Sequence, residues 1–301
     1  MRCGCREVGR HLDSAKAHFG RDTAGLLDGG RYSLVHTRSL EFDDLRPYVP
    51  GDDVRDIDWK ASARSGDVLI KRFVSEKHHK ILVVADAGRN MTAVAPSGEY
   101  KRDVAMHLIG ALGLITLRRS DEIGMVFGDT RGCVDIRLRR GETHLEYMLT
   151  HYLSHTLTHP GRSDVITQLS WVTEHYRRPH LIVVVSDEPD ADERLAATLT
   201  RLRPRHDVLW AMVADASAVG SPDDTTADDT IGYDVSDGRT VLGAADLGAD
   251  VIAAYRDAEA ARREAVSELM TAHAVPHVVV EGSRGVRAGL VGLAGVFARA
   301  G

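Results

Sequence analysis

Cysteine is scarce. The 301-residue chain has three, Cys3, Cys5 and Cys133, too few for a disulfide framework and suited to a reducing compartment. Cys3-Gly4-Cys5 is a close thiol pair, but no second pair completes a zinc site. Long apolar runs are missing too. The longest, Leu108 to Leu117, falls well short of the ~20 residues a membrane helix needs. Arg2 and Arg6 are not followed by an apolar stretch, so a signal peptide is not expected. These absences predict a soluble, cytoplasmic protein with no membrane span. A net positive charge is also lacking: the balance is -6 and aromatics are 5% of the chain, which argues against nucleic acid as a partner. There is no phosphate loop of the GxxxxGK[ST] type and no GxGxxG after a strand. The 15 histidines are scattered, and none stands at a readable distance from a serine or cysteine nucleophile.

What is present is a rhythm of apolar strands and helices. Residues 1–30 are rich in Gly, Arg and His and weakly periodic, which predicts a flexible segment with at most one short helix. Residues 31–78 hold extended pieces, Tyr32 to His36 and Val68 to Val74, around a highly polar centre, and predict a small β-rich lobe. From residue 79 to 301 the pattern is that of a larger domain. Ile81 to Ala85, Ile123 to Phe127, Leu181 to Ser186, Asp207 to Val213 and Val275 to Val280 read as strands. They are separated by helical spacing over 98–117, 143–157, 164–176, 189–202 and 257–273, with a closing helix over 285–299. Val134 to Leu138 reads as the returning arm of a hairpin. The fold class that follows is α/β: a mostly parallel sheet with helices on both faces, preceded by the small lobe. Residues 215–238 contain seven aspartates. They fit no EF-hand spacing and read as an acidic, solvated loop.

Two places could carry chemistry. Asp86 and Asp187 each end a buried strand, at the edge where open α/β sheets bind ligands. With Asn90 and with Ser163 in the loop PGRSD they offer hard oxygen donors suited to Mg2+ or Ca2+. They also suit plain capping of turns and helix starts, and Asp187-Glu188-Pro189 resembles a helix cap with proline just inside. The other place is the run YVPGDDVRDIDWKASAR, Tyr48 to Arg64. Its Asp52, Asp53, Asp56 and Asp58 stand among Arg55, Lys60 and Arg64, which suggests an ion-pair network with a structural or partner-docking role. Trp59 is expected to pack against the sheet with its N–H satisfied. If the segment is extended, Asp56 and Asp58 share a face, and either Asp56/Asp58 or Asp86/Asp187 could serve a divalent-metal-dependent hydrolase.

The Tyr48 to Arg64 run, followed by a strand and an acidic loop, closely resembles the bacterial and archaeal family called domain of unknown function 58, within the von Willebrand factor A superfamily. The resemblance is good over roughly residues 30–190. It implies a von Willebrand factor A-like fold and a metal-ion-dependent adhesion site. By position, Asp86, Ser163 and Asp187 match its ligands, while Gly88 and Asn90 stand where two serines belong. The implied site is degraded, with no metal or only weakly bound Mg2+ or Ca2+. The resemblance further implies a non-enzymatic adaptor or cofactor that works with a MoxR-type AAA+ ATPase on an unknown client protein, in maturation or remodelling, and that grips its partner over the degraded site at Asp86, Ser163 and Asp187.

Overall fold

The computed structural model describes residues 10–19, 37–49, 52–158, 160–217, 219, 232–241 and 248–300. The Cys3/Cys5 pair and residues 220–231 of the acidic stretch lie outside the described residues. The chain divides into two compact units, His36–His79 and the remainder, Met1–Val35 with Lys80–Gly301.

The larger unit is built on a six-stranded sheet. Its strands are β3 (Lys80–Asp86), β4 (Glu122–Asp129), β5 (Gly132–Arg139), β6 (Leu181–Asp187), β7 (Asp207–Val213) and β10 (His277–Val280), in the order β10-β7-β6-β3-β4-β5. All neighbours are parallel except β4 and β5, which form the expected hairpin. Six of the seven residues of β3 are buried, as a central strand covered on both faces requires. Ile81, Val83 and Ala85 face one helical layer: α1 (Arg10–Phe19), α3 (Lys101–Arg119), α4 (Glu142–Leu157) and α8 (Val286–Ala300). Leu82 and Val84 face the other: α5 (Val165–His175), α6 (Glu193–Leu202) and α7 (Ala249–Ala272). This doubly wound sheet with one antiparallel edge is a von Willebrand factor A-like, Rossmann-type fold. Among the described residues no helix is long and apolar enough to cross a membrane.

The short helix allowed for within residues 1–30 is α1, and it docks on α3 and α4 with Leu12 and Ala15 buried. Glu146 of α4 accepts the backbone N–H groups of His11 (3.2 Å) and Leu12 (2.9 Å), placing a carboxylate on the positive end of α1. Gly110 admits the close approach, since a Cβ there would lie 2.8 Å from that of Ala15. One expectation is corrected here: the helix after β6 does not start at Pro189. It begins at Glu193 and is capped by Asp192, whose carboxylate accepts from Leu195 N–H at 2.8 Å.

The smaller unit is a hairpin of β1 (Thr37–Pro47) and β2 (Leu69–His78), paired from Thr37/His78 to Pro47/Leu69 with an irregularity between Phe42 and Asp44. A short 3-10 turn (Val54–Asp56) and α2 (Trp59–Ser65) lie between the strands. Gly66, at φ 83°, ends α2 in the left-handed region that favours glycine. Two further strands, β8 (Gly232–Tyr233) and β9 (Thr240–Val241), form a small antiparallel ribbon in the larger unit.

Candidate functional site

Because β3 and β6 are parallel neighbours, Asp86 and Asp187 close adjacent strands at one rim of the sheet. The loop after β3 is stitched to the end of β4 and to the loop before α5 by backbone bonds. Ala87 N–H donates to Gly128 C=O (2.9 Å) and Arg89 N–H to Gly161 C=O (2.7 Å). Asp86 is 1% exposed. Its carboxylate accepts Gly88 N–H at 2.8 Å and the Ser163 hydroxyl, and its carbonyl accepts the buried Tyr152 hydroxyl at 2.9 Å. Ser163 Oγ in turn accepts Asn90 N–H at 3.1 Å, while the Asn90 amide donates from Nδ2 to Asp187 Oδ2 at 2.7 Å. All four rim residues singled out in the sequence, Asp86, Asn90, Ser163 and Asp187, are thus brought together.

A fifth residue, missed in the sequence, places a buried cation at this rim. Lys101 opens α3, and its side chain is fully buried. The ammonium pairs with Asp215 and lies 4.0 Å from Asp187 Oδ2. A cation at the first position of a helix opposes the helix dipole, which was the available signal. Asp215 is also approached by Arg262 at 4.0 Å. Arg262 and Arg263 clamp the buried Glu188 at 2.7 Å and 3.2 Å. Burial, then the charge of Asp187, pushes the Asp86 carboxyl up to about 7. Burial pushes Asp187 up to about 6, against the pull of Lys101.

The loop carrying Ser163 is held from below by Asp129 at the end of β4. This carboxylate accepts from Arg131 backbone N–H (2.8 Å), Arg131 Nη2 (2.6 Å) and Gly161 N–H (2.7 Å). Burial works against its charge, but the Arg131 side chain and these backbone donors prevail and hold it far below the usual carboxylate range.

These residues fit a divalent cation poorly. Gly88 brings no hydroxyl, and a Cβ on it would lie 2.5 Å from both Cα and Oγ of Ser163. Asn90 turns an N–H toward Asp187 rather than an oxygen toward a metal. The principal cation beside Asp187 is an ammonium. At 4 Å and an effective dielectric of ~20, unit charges interact by about 4 kcal/mol, so a divalent ion that close to Lys101 would meet roughly twice that in repulsion. Among the described residues, no group of three or more His, Cys, Asp or Glu is arranged to hold a metal ion.

In the smaller unit, the Tyr48–Arg64 run is organised by capping. Asp53 accepts Arg55 N–H at 2.9 Å to start the 3-10 turn. Asp58 accepts Lys60 and Ala61 N–H at 3.0 Å each to start α2. Asp52 pairs at 2.6 Å with Arg46, outside the run, and also accepts Val49 N–H at 3.0 Å. Asp56 ends the 3-10 turn, so Asp56 and Asp58 do not share the face of an extended strand. Trp59 does not pack as expected: it is 68% exposed, and Val49, Val54 and Val68 are exposed as well. Trp59 stands in the first turn of a seven-residue helix, and among the described side chains of this unit Ile70 is the only buried apolar one.

The family model described as "Protein of unknown function DUF58" matches residues 44–229, more than half of the chain. The chain belongs to the DUF58 family. Uncharacterized proteins of Mycobacterium tuberculosis and Mycobacterium bovis are each 24% identical to it over 206 residues, covering 66% of this chain and 62% of theirs. The DUF58 chain therefore spans less than two thirds of the length of these relatives. Among solved structures, an aerotolerance-related membrane protein from Bacteroides fragilis aligns at 13% identity and a TM-score of 0.45, over 70% of this chain and 96% of that one. A von Willebrand factor type A protein from Catenulispora acidiphila aligns at 8% identity and 0.43, over 75% and 44%.

Proposed function

We propose that this DUF58 protein is a non-enzymatic interaction module. In this reading it acts as an adaptor of a MoxR-type AAA+ ATPase in maturing or remodelling a client protein. The observation that carries the reading is Trp59. The most distinctive run of the sequence ends in a capped helix whose indole stands 68% exposed, while Asp52, Asp53 and Asp58 are committed to Arg46 and to caps. Tryptophan is enriched at interaction hot spots, and an exposed indole on a rigid helix start loses little entropy on docking. The rim of the larger unit supports the same reading, since its carboxylates are engaged by protein donors and by Lys101. The ATPase is named from the family resemblance, and the cytoplasm is the compartment that the cysteine usage suits.

The test is binding of the purified chain to a MoxR-type ATPase from the same genome, with and without nucleotide. Wild type should bind, and Trp59→Ala should weaken binding by about tenfold or more with its unfolding midpoint unchanged. Equal binding by the variant, or no binding in any nucleotide state, would sink the proposal.

A further inference from the structure

The misfit at the rim has a positive content. We infer that the rim carries its own cation: the Lys101 ammonium takes the part that a divalent ion plays in the wider superfamily, and the site works without metal.

Four observations converge on this. Lys101 is 0% exposed, so its charge is built into the fold and is not a surface side chain that swings in. It pairs with Asp215 and stands 4.0 Å from Asp187, so one ammonium serves two carboxylates that follow or end different strands. The Asn90 amide presents a donor to Asp187, so a protein N–H already fills a lone pair of that carboxylate. Finally, the Ser163 backbone occupies the space that a side chain at position 88 would need. A buried charge is tolerated only where partners satisfy it. Here the lysine and the carboxylates satisfy one another, and removing either side leaves the other unpaired.

This inference deepens the interaction-module reading, because it makes the rim a cation-independent surface. Its test reads metal uptake and unfolding, so it can fail while the docking proposal stands, and the reverse. Mn2+ binding is followed by electron paramagnetic resonance, and unfolding is followed by calorimetry in chelator and in millimolar Mn2+. Wild type should take up no ion and keep its midpoint. Lys101→Met should unfold earlier in chelator and should bind Mn2+ at least about tenfold more tightly than wild type, with a midpoint that rises as the ion is added. Saturable uptake of one ion by wild type, lost in Asp187→Asn, would overturn the inference. So would a folded Lys101→Met that remains indifferent to Mn2+. If Lys101→Met does not fold, the wild-type titration with its Asp187→Asn control decides alone: uptake overturns the inference, and none through the millimolar range supports it.

Discussion

Restoring the missing hydroxyl at position 88 should damage this protein rather than repair it. A Cβ on Gly88 would lie 2.5 Å from Ser163 Cα, 2.5 Å from Ser163 Oγ and 2.7 Å from Ser163 N. Ordinary van der Waals contact begins near ~3.4 Å, so the 160–164 segment would have to retreat by roughly 1 Å. It is not free to do so. Arg89 N–H is bonded to Gly161 C=O, Asn90 N–H to Ser163 Oγ, and Asp129 to Gly161 N–H. Overpacking against a constrained neighbour costs about 1–3 kcal/mol. In a unit of this size each kcal/mol lowers the midpoint by about 2–4 °C, so Gly88→Ser should unfold about 2–12 °C earlier. Calorimetry measures it directly. Adding Ser163→Gly should recover only part of the loss, because two of the three close atoms are backbone. If Gly88→Ser unfolds within a degree of wild type, or is stabilised by Mg2+, the steric reasoning is refuted.

Asp58→Ala should remove the cap of α2 and cost about 1 kcal/mol, with Asp58→Asn retaining most of the stability. Faster amide exchange at Lys60 and Ala61 in the alanine variant alone would verify it, and equal exchange in both would count against it. His206 is buried beside His180, ring centroids 5.8 Å apart, and burial, then His180 and Arg205, pushes its pKa down to about 4. The unfolded chain therefore binds the extra proton between about pH 6.5 and 4, and folding stability from this group falls as pH falls through that window. Asp86, raised to about 7, has the opposite slope, so the comparison must be with a variant. His206→Phe should gain on wild type by up to about 3 kcal/mol on acidification from pH 6.5 to 4. A pH-independent difference between the two would show that His206 does not titrate abnormally.

The sheet was legible in the sequence because buried parallel strands are written as short, nearly continuous apolar runs. Ile81 to Ala85 and Leu181 to Ser186 could be read directly, and β7 was bounded at Asp207 and Val213. The adjacency of Asp86 and Asp187 needed the strand order, which pattern does not carry. Lys101 escaped notice because a lysine at a helix start looks like a solvated residue until the carboxylates of distant loops are placed around it. Asp215 was hidden in a stretch whose acidity suggested solvent. Trp59 misled by its type: tryptophan suggests a core, but at the start of α2 it stands 68% exposed. Pro189 misled because Asp-Glu-Pro is a helix-start signature, yet Glu188 is drawn toward Arg262 and Arg263 and the helix begins later.

The docking of α1 also bears on how this protein is divided in the laboratory. The family match starts at residue 44, and a recombinant fragment trimmed to that boundary would discard the helix that Glu146 clasps. The fragment would bare the face of α3 around Gly110 that Ala15 covers, and leave the Glu146 carboxylate without its amide donors. Poor behaviour of such a fragment would then reflect an amputated outer layer and would say nothing about the sheet beneath.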